Sequence, residues 1–145
     1  TSKRTIMSRN LSTLLLLPLL LCSCIKEQKV KKELIGSWRY DLVSMKKENF
    51  KDQTDPAQRS YMETMMQALS LAQLDLFDDG SAVFQLDDTL QKGNWHVQNN
   101  GKELVMDLVE GPQVSRIQRI AQDTIYLHSV SDPGPQFTRI LVPAN

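Results

Sequence analysis

The chain has 145 residues, with 17 lysines and arginines balanced by 17 aspartates and glutamates, so its net charge is close to zero. No run of clustered basic residues marks a nucleic-acid surface, which excludes that class of partner. Both cysteines, Cys22 and Cys24, fall near the start, so the rest of the chain must rely on its hydrophobic core, and at this length it is one domain.

The first predicted element is an address and not part of the fold. Lys3, Arg4 and Arg9 precede an apolar run, with no acidic residue before or within it, and small residues follow at 23 and 24. This is the layout of a secretory signal. Leu11 to Cys22 is twelve residues interrupted by Pro18, short of the ~20 apolar residues of a spanning helix. A buried core helix would need burial on every side, since the run has no polar stripe. Thr1 and Met7 both stand as the biological start, and with Met7 Arg9 alone is the basic region.

The junction Leu21-Cys22-Ser23-Cys24 resembles the lipobox of bacterial lipoproteins. That resemblance implies cleavage before Cys24, a diacylglyceryl group on its thiol and an acyl group on its new amine. Residues 1–23 are then the signal peptide, and the membrane is a partner through the lipid on Cys24. Disulfide formation is ruled out by the same processing. A metal or redox role for the two cysteines would need an uncleaved signal and two further ligands. Ile25 in place of aspartate after the cysteine points, by the same resemblance, to the outer membrane of a bacterial cell envelope.

The processed chain would carry 14 basic and 17 acidic residues, a net of −3. Residues 24–33 are expected to be the lipidated cysteine and a solvated tether with four lysines and two glutamates, reaching ~30 Å if extended and drawn weakly to anionic lipid. Residues 34–145 form the body, with a net of −5.

Leu34 to Leu42 alternates, with Trp38, Tyr40 and Leu42 on one face, and predicts a half-buried strand. Lys46 to Thr54 is polar and predicts a loop. Asp55-Pro56-Ala57-Gln58 supplies a cap, a first-turn proline and an N3 glutamine, so a helix begins there. Tyr61, Met62, Met65, Met66 and Leu69 make its apolar face, opposite Arg59, Glu63 and Gln67.

From Leu74 the period is two, with turns at Asp78-Asp79-Gly80, Asp87-Asp88, Asn99-Asn100-Gly101, Gly111-Pro112, Gln122-Asp123 and Asp132-Pro133-Gly134-Pro135. The sixth strand, from Val114 to Ala121, alternates poorly. Eight strands apolar on one face must wrap to hide that face and their edges. The expected fold is mainly β, an eight-stranded up-and-down antiparallel barrel with one helix inserted between strands 1 and 2.

Gly36-Ser37-Trp38 on the first strand looks like the Gly-x-Trp signature of lipocalins, and Arg139 on the last strand sits where that family places an arginine across the tryptophan ring. The body, residues 34–145, thus resembles the lipocalin-like domains of bacterial envelope lipoproteins. The early helix is closer to the portal helices of fatty-acid-binding proteins. The resemblance implies that Trp38 and Arg139 stack to close one end of the barrel, a contact worth ~1 kcal/mol or more when desolvated.

Met62, Met65 and Met66 read either as a pliable lid over the mouth or as permanent packing. Trp95 reads equally as core or as cavity wall. With Phe84 and Met106 these residues are the candidate ligand site. His96 and His128 fall on the outward face and have no metal-site spacing. The paired aspartates lack a calcium loop. No nucleophile motif or phosphate-cradling loop is present, so neither a cofactor nor catalysis is expected, although an acidic pair brought together in space would escape a reading of sequence. The leading expectation is a membrane-anchored module that binds a small apolar or amphipathic ligand. The alternative is a non-enzymatic envelope accessory or inhibitor protein with a filled barrel, acting through its outer surface.

Overall fold

The structure, a computed structural model, describes residues 11–131 and 136–145, with side chains from residue 21 onward. The basic residues near the start, Met7 and the Asp132 to Pro135 turn lie outside the described residues. Helix α1 (Leu11–Leu34) leads into strand β1 (Gly36–Tyr40), then helices α2 (Leu42–Phe50) and α3 (Pro56–Ser70). Seven strands follow: β2 (Ala72–Leu76), β3 (Ser81–Leu86), β4 (Thr89–Gln98), β5 (Glu103–Leu108), β6 (Gly111–Ala121), β7 (Thr124–Ser129) and β8 (Thr138–Pro143). Each strand pairs antiparallel with the next, and β8 closes onto β1 through Trp38↔Pro143 and Tyr40↔Leu141. The up-and-down barrel has no open edge.

Its interior holds the alternate residues that the pattern selects. Trp38, Tyr40, Leu74, Leu76, Ala82, Leu104, Ile125, Leu127 and Leu141 are all buried, while Phe84, Leu86 and Val97 are half-buried. Strand β6 alternates poorly because it is bulged: the register passes from Ile117↔Leu127 to Arg119↔Tyr126, leaving Gln118 over. One extra residue reverses the phase, so the inward residues are Gln113, Ser115 and Ile117 before the bulge and Ile120 after it. The tight turns sit on left-handed backbone: Gln122 and Asp123, between paired Ala121 and Thr124, are both at positive φ, as a two-residue hairpin demands, and the four-residue β4–β5 turn has Asn99, Asn100 and Gly101 at positive φ.

Of Lys46 to Thr54, expected as loop, Lys46 to Phe50 is the end of a helix and Lys51 to Thr54 is loop. Helix α2 lays Met45, fully buried, against the outer face of β8, where Ile140 is only 1 % exposed. The Asn49 side chain accepts from the Thr138 N–H at 2.7 Å and donates to the Thr138 carbonyl at 2.8 Å. These are the backbone groups that β1 would have met had it not ended at Tyr40. Helix α3 starts as the sequence predicts, with Asp55 accepting from the Ala57 N–H at 3.0 Å and Pro56 in its first turn.

Residues 25–33 also differ from expectation. They are not extended but form the last turns of α1, because Val30 and Leu34, four apart, share one face that the barrel can bury. Leu34 is fully buried, and Val30 lies close against Gly101. Glu27 accepts from the Asn100 N–H at 3.1 Å, and the Lys31 ammonium sits 5.9 Å from the Trp95 ring centre. The end of the barrel with the β2–β3, β4–β5 and β6–β7 turns is thus sealed by α1. Helix α3 lies at the other end.

Candidate functional site

A cavity of about 360 Å³ opens at the α3 end of the barrel. Its two sides differ in chemistry. Phe84, Met106 and Leu108 form an apolar wall from β3 and β5, and α3 lays Tyr61, Met65 and Leu69 over it. Facing them, β6, β7, β8 and β1 contribute Gln113, Ser129, Arg139 and Tyr40, with Gln91 and Gln136 nearer the mouth. This polar side arises because β6 to β8 place Gln113, Ser115, Ser129 and Arg139 in the inward phase, and Gln91 of β4 shares that phase across from Phe84.

Arg139 therefore projects into the barrel across from Leu127, and its guanidinium lies 5.6 Å from the centre of the Phe137 ring. The stacking on Trp38 implied by the resemblance does not occur. Register forbids it: Trp38 is level with Pro143, four residues beyond Arg139, or roughly 13 Å along a strand. Trp38 instead donates its indole N–H to the Leu34 carbonyl at 2.7 Å, using one of the last carbonyls of α1. Trp38 still closes the barrel, and its partner is the helix.

Tyr40 is buried beside this polar wall. Burial pushes its hydroxyl above the usual phenol range, and the nearby positive charge of Arg139 partly offsets the rise. At neutral pH the hydroxyl is protonated and can donate or accept a hydrogen bond.

Three of the six expected lining residues, Met65, Phe84 and Met106, meet at this cavity. The others lie elsewhere. Trp95 packs at the sealed end, donating to the Phe77 carbonyl at 2.9 Å, so it belongs to the core. Met62 and Met66 are buried, with their sulfurs 4.0 Å from the Gln53 amide nitrogen and 3.8 Å from that of Asn49. They fix α3 to the α2 segment and do not touch the cavity. The polar wall went unrecognised by sequence reasoning, although a glutamine, a serine and an arginine in the inward phase of consecutive strands were visible as a break in the apolar pattern.

Cys24 is exposed on α1, as is Cys22. His96 is exposed, whereas His128, expected to be so, is half-buried with Nδ1 enclosed. It lies across from Thr138, the residue that α2 engages. Among the described residues no three His, Cys, Asp or Glu side chains are grouped to hold a metal, and no helix is long and apolar enough to cross a membrane. No protein-family model and no curated protein matches the chain.

Proposed function

We propose that the chain is a lipid-anchored, lipocalin-like envelope protein that binds a small apolar or amphipathic molecule inside its barrel, without catalysing a reaction. The observation that carries this reading is the cavity. Its volume of about 360 Å³ falls within the ~300–1,000 Å³ of small-molecule sites, and a barrel serving only as a scaffold has no need of such a space. The overlying helix supports it too: Met65 and Tyr61 are partly exposed at the rim while Met66 behind them is fixed, so the flexible thioether is where a guest would pass. The lipobox at Leu21 to Cys24 supports the anchor, and Ile25 supports the outer membrane.

Native mass spectrometry of the full chain, extracted from membranes, is the direct test of binding. One molecule retained per protein is expected, and its loss on Met106→Trp, which fills the cavity, is expected with it. A chain that comes off empty and takes up no added amphiphile overturns the reading. Cys24→Ser is expected to move the protein from the membrane to the soluble fraction, and unchanged partitioning removes the anchor.

A further inference from the structure

The polar side of the cavity is built from groups that the fold itself leaves unused. Gln91, Gln113 and Ser129 all line the cavity, and among the described residues their side chains have no hydrogen-bond partner. Gln113 stands directly across from Met106 on β5, so the polar set begins where the apolar wall ends, and Ser129 continues it on β7. Each amide carries an acceptor oxygen and a donor nitrogen, and the serine hydroxyl does both. A purely apolar guest would expel water from these groups and return no hydrogen bond, which costs binding energy.

The charges of the lining say what the matching head lacks. Arg139 is already engaged within the chain, and its guanidinium lies 5.6 Å from the centre of the Phe137 ring. Glu110, the acidic residue of the lining, is exposed at the mouth. The two cancel, so the lining carries no net charge. An anionic head would have to displace the existing contacts of Arg139, and a cationic head would approach its positive charge. Either would give up hydration without gaining a counter-ion. Building on the ligand-binding reading above, we infer that the guest is a non-ionic amphiphile with a hydroxyl-bearing head, glyceryl or glycosyl, held by Gln113 and Ser129 with Gln91 nearer the mouth. Hydroxyls fit because they donate and accept at once, as the three side chains do. The chain of the guest lies on Phe84 and Met106, under Met65 of α3.

Calorimetry of the full chain in phosphatidylcholine nanodiscs, with the signal of empty nanodiscs subtracted, compares five eight-carbon probes: 1-O-octylglycerol, octyl glucoside, octanol, octanoate and octylamine. One of the two hydroxylated heads is expected to bind at least about tenfold more tightly than octanol and than both charged probes, about what two further neutral hydrogen bonds contribute. Which of the two it is tells a glyceryl from a glycosyl head. Gln113→Leu is expected to weaken that probe by about tenfold and to tighten octanol, reversing their order. Should the variant fail to fold by circular dichroism, the ranking on the unaltered chain decides alone. Octanol matching both hydroxylated probes, a charged probe matching the tighter of them, or an order that survives Gln113→Leu in a folded chain overturns the non-ionic head while leaving ligand binding intact. Binding of none of the five overturns ligand binding itself.

Discussion

Asn49 does the work of a missing strand residue. Because its amide both accepts from and donates to the backbone of Thr138, Asn49→Ala leaves two backbone groups without partners and is expected to cost about 1–3 kcal/mol, read from the urea midpoint. Asn49→Asp should cost a similar amount, since a carboxylate can accept from the Thr138 N–H but repels its carbonyl. Gly93 is constrained differently. A Cβ there would come within 2.0 Å of the Asp107 carbonyl oxygen on β5, while Gly93 itself pairs with Ala82 on β3 and its neighbour Asn94 with Asp107. Both sides of that clash are backbone, so Gly93→Ala is expected to lose at least about 2 kcal/mol by the same measurement. Neither residue could be picked out from the sequence. Asn49 sits in a polar run whose target is 89 positions away, and Gly93 looks like any strand glycine until the Asp107 backbone is seen against it. Arg139 was legible as important through its place on the last strand, but its partner was not, because register is a property of the closed sheet.

The three helices differ in how openly the chain announces them. Helix α3 carries a cap, a first-turn proline and an apolar stripe, all local signals, and it forms where they predict. In helix α2 the Asp41 side chain accepts from the Ser44 hydroxyl but caps no backbone N–H of the first turn, and Met45, next to two lysines, is its one buried residue, so its stability comes from contact with β8. Such tertiary rescue of a short polar helix has no local signature. The two helices are also tied by Lys46 and Glu63, which form an ion pair across the gap between them. The hydrogen bond and charge of Lys46 hold the Glu63 carboxyl below its usual range. A lowered carboxyl contributes stability that is present above the ordinary glutamate value of about 4.3 and is lost as pH falls through the depressed one. Unaltered protein is thus expected to melt above Glu63→Gln at neutral pH, with the gap closing as the pH falls through the lowered Glu63 range. A gap that persists in acid would mean that the pair contributes nothing.

At the scale of the whole molecule, the two-residue rhythm sufficed for barrel closure, because eight strands with one oily side each have few other ways to hide it. Which end is sealed did not follow from rhythm, since it depends on Val30 and Leu34 packing where the composition of residues 25–33 spoke of solvent. That packing bears on orientation. Cys24 stands three residues before Glu27, the first residue fastened to the β4–β5 turn, or about 4.5 Å along a helix. With a nitroxide on Val109→Cys at the mouth and another on Lys29→Cys on α1, the first is expected to relax readily with a water-soluble nickel chelate and the second with membrane-dissolved oxygen. A proposed anchor so close to a docked helix gives the barrel no slack to roll over. The bilayer would lie against its floor, and cargo would be handed in and out on the far, aqueous side, by a donor that comes to the protein instead of by lipids diffusing up from beneath.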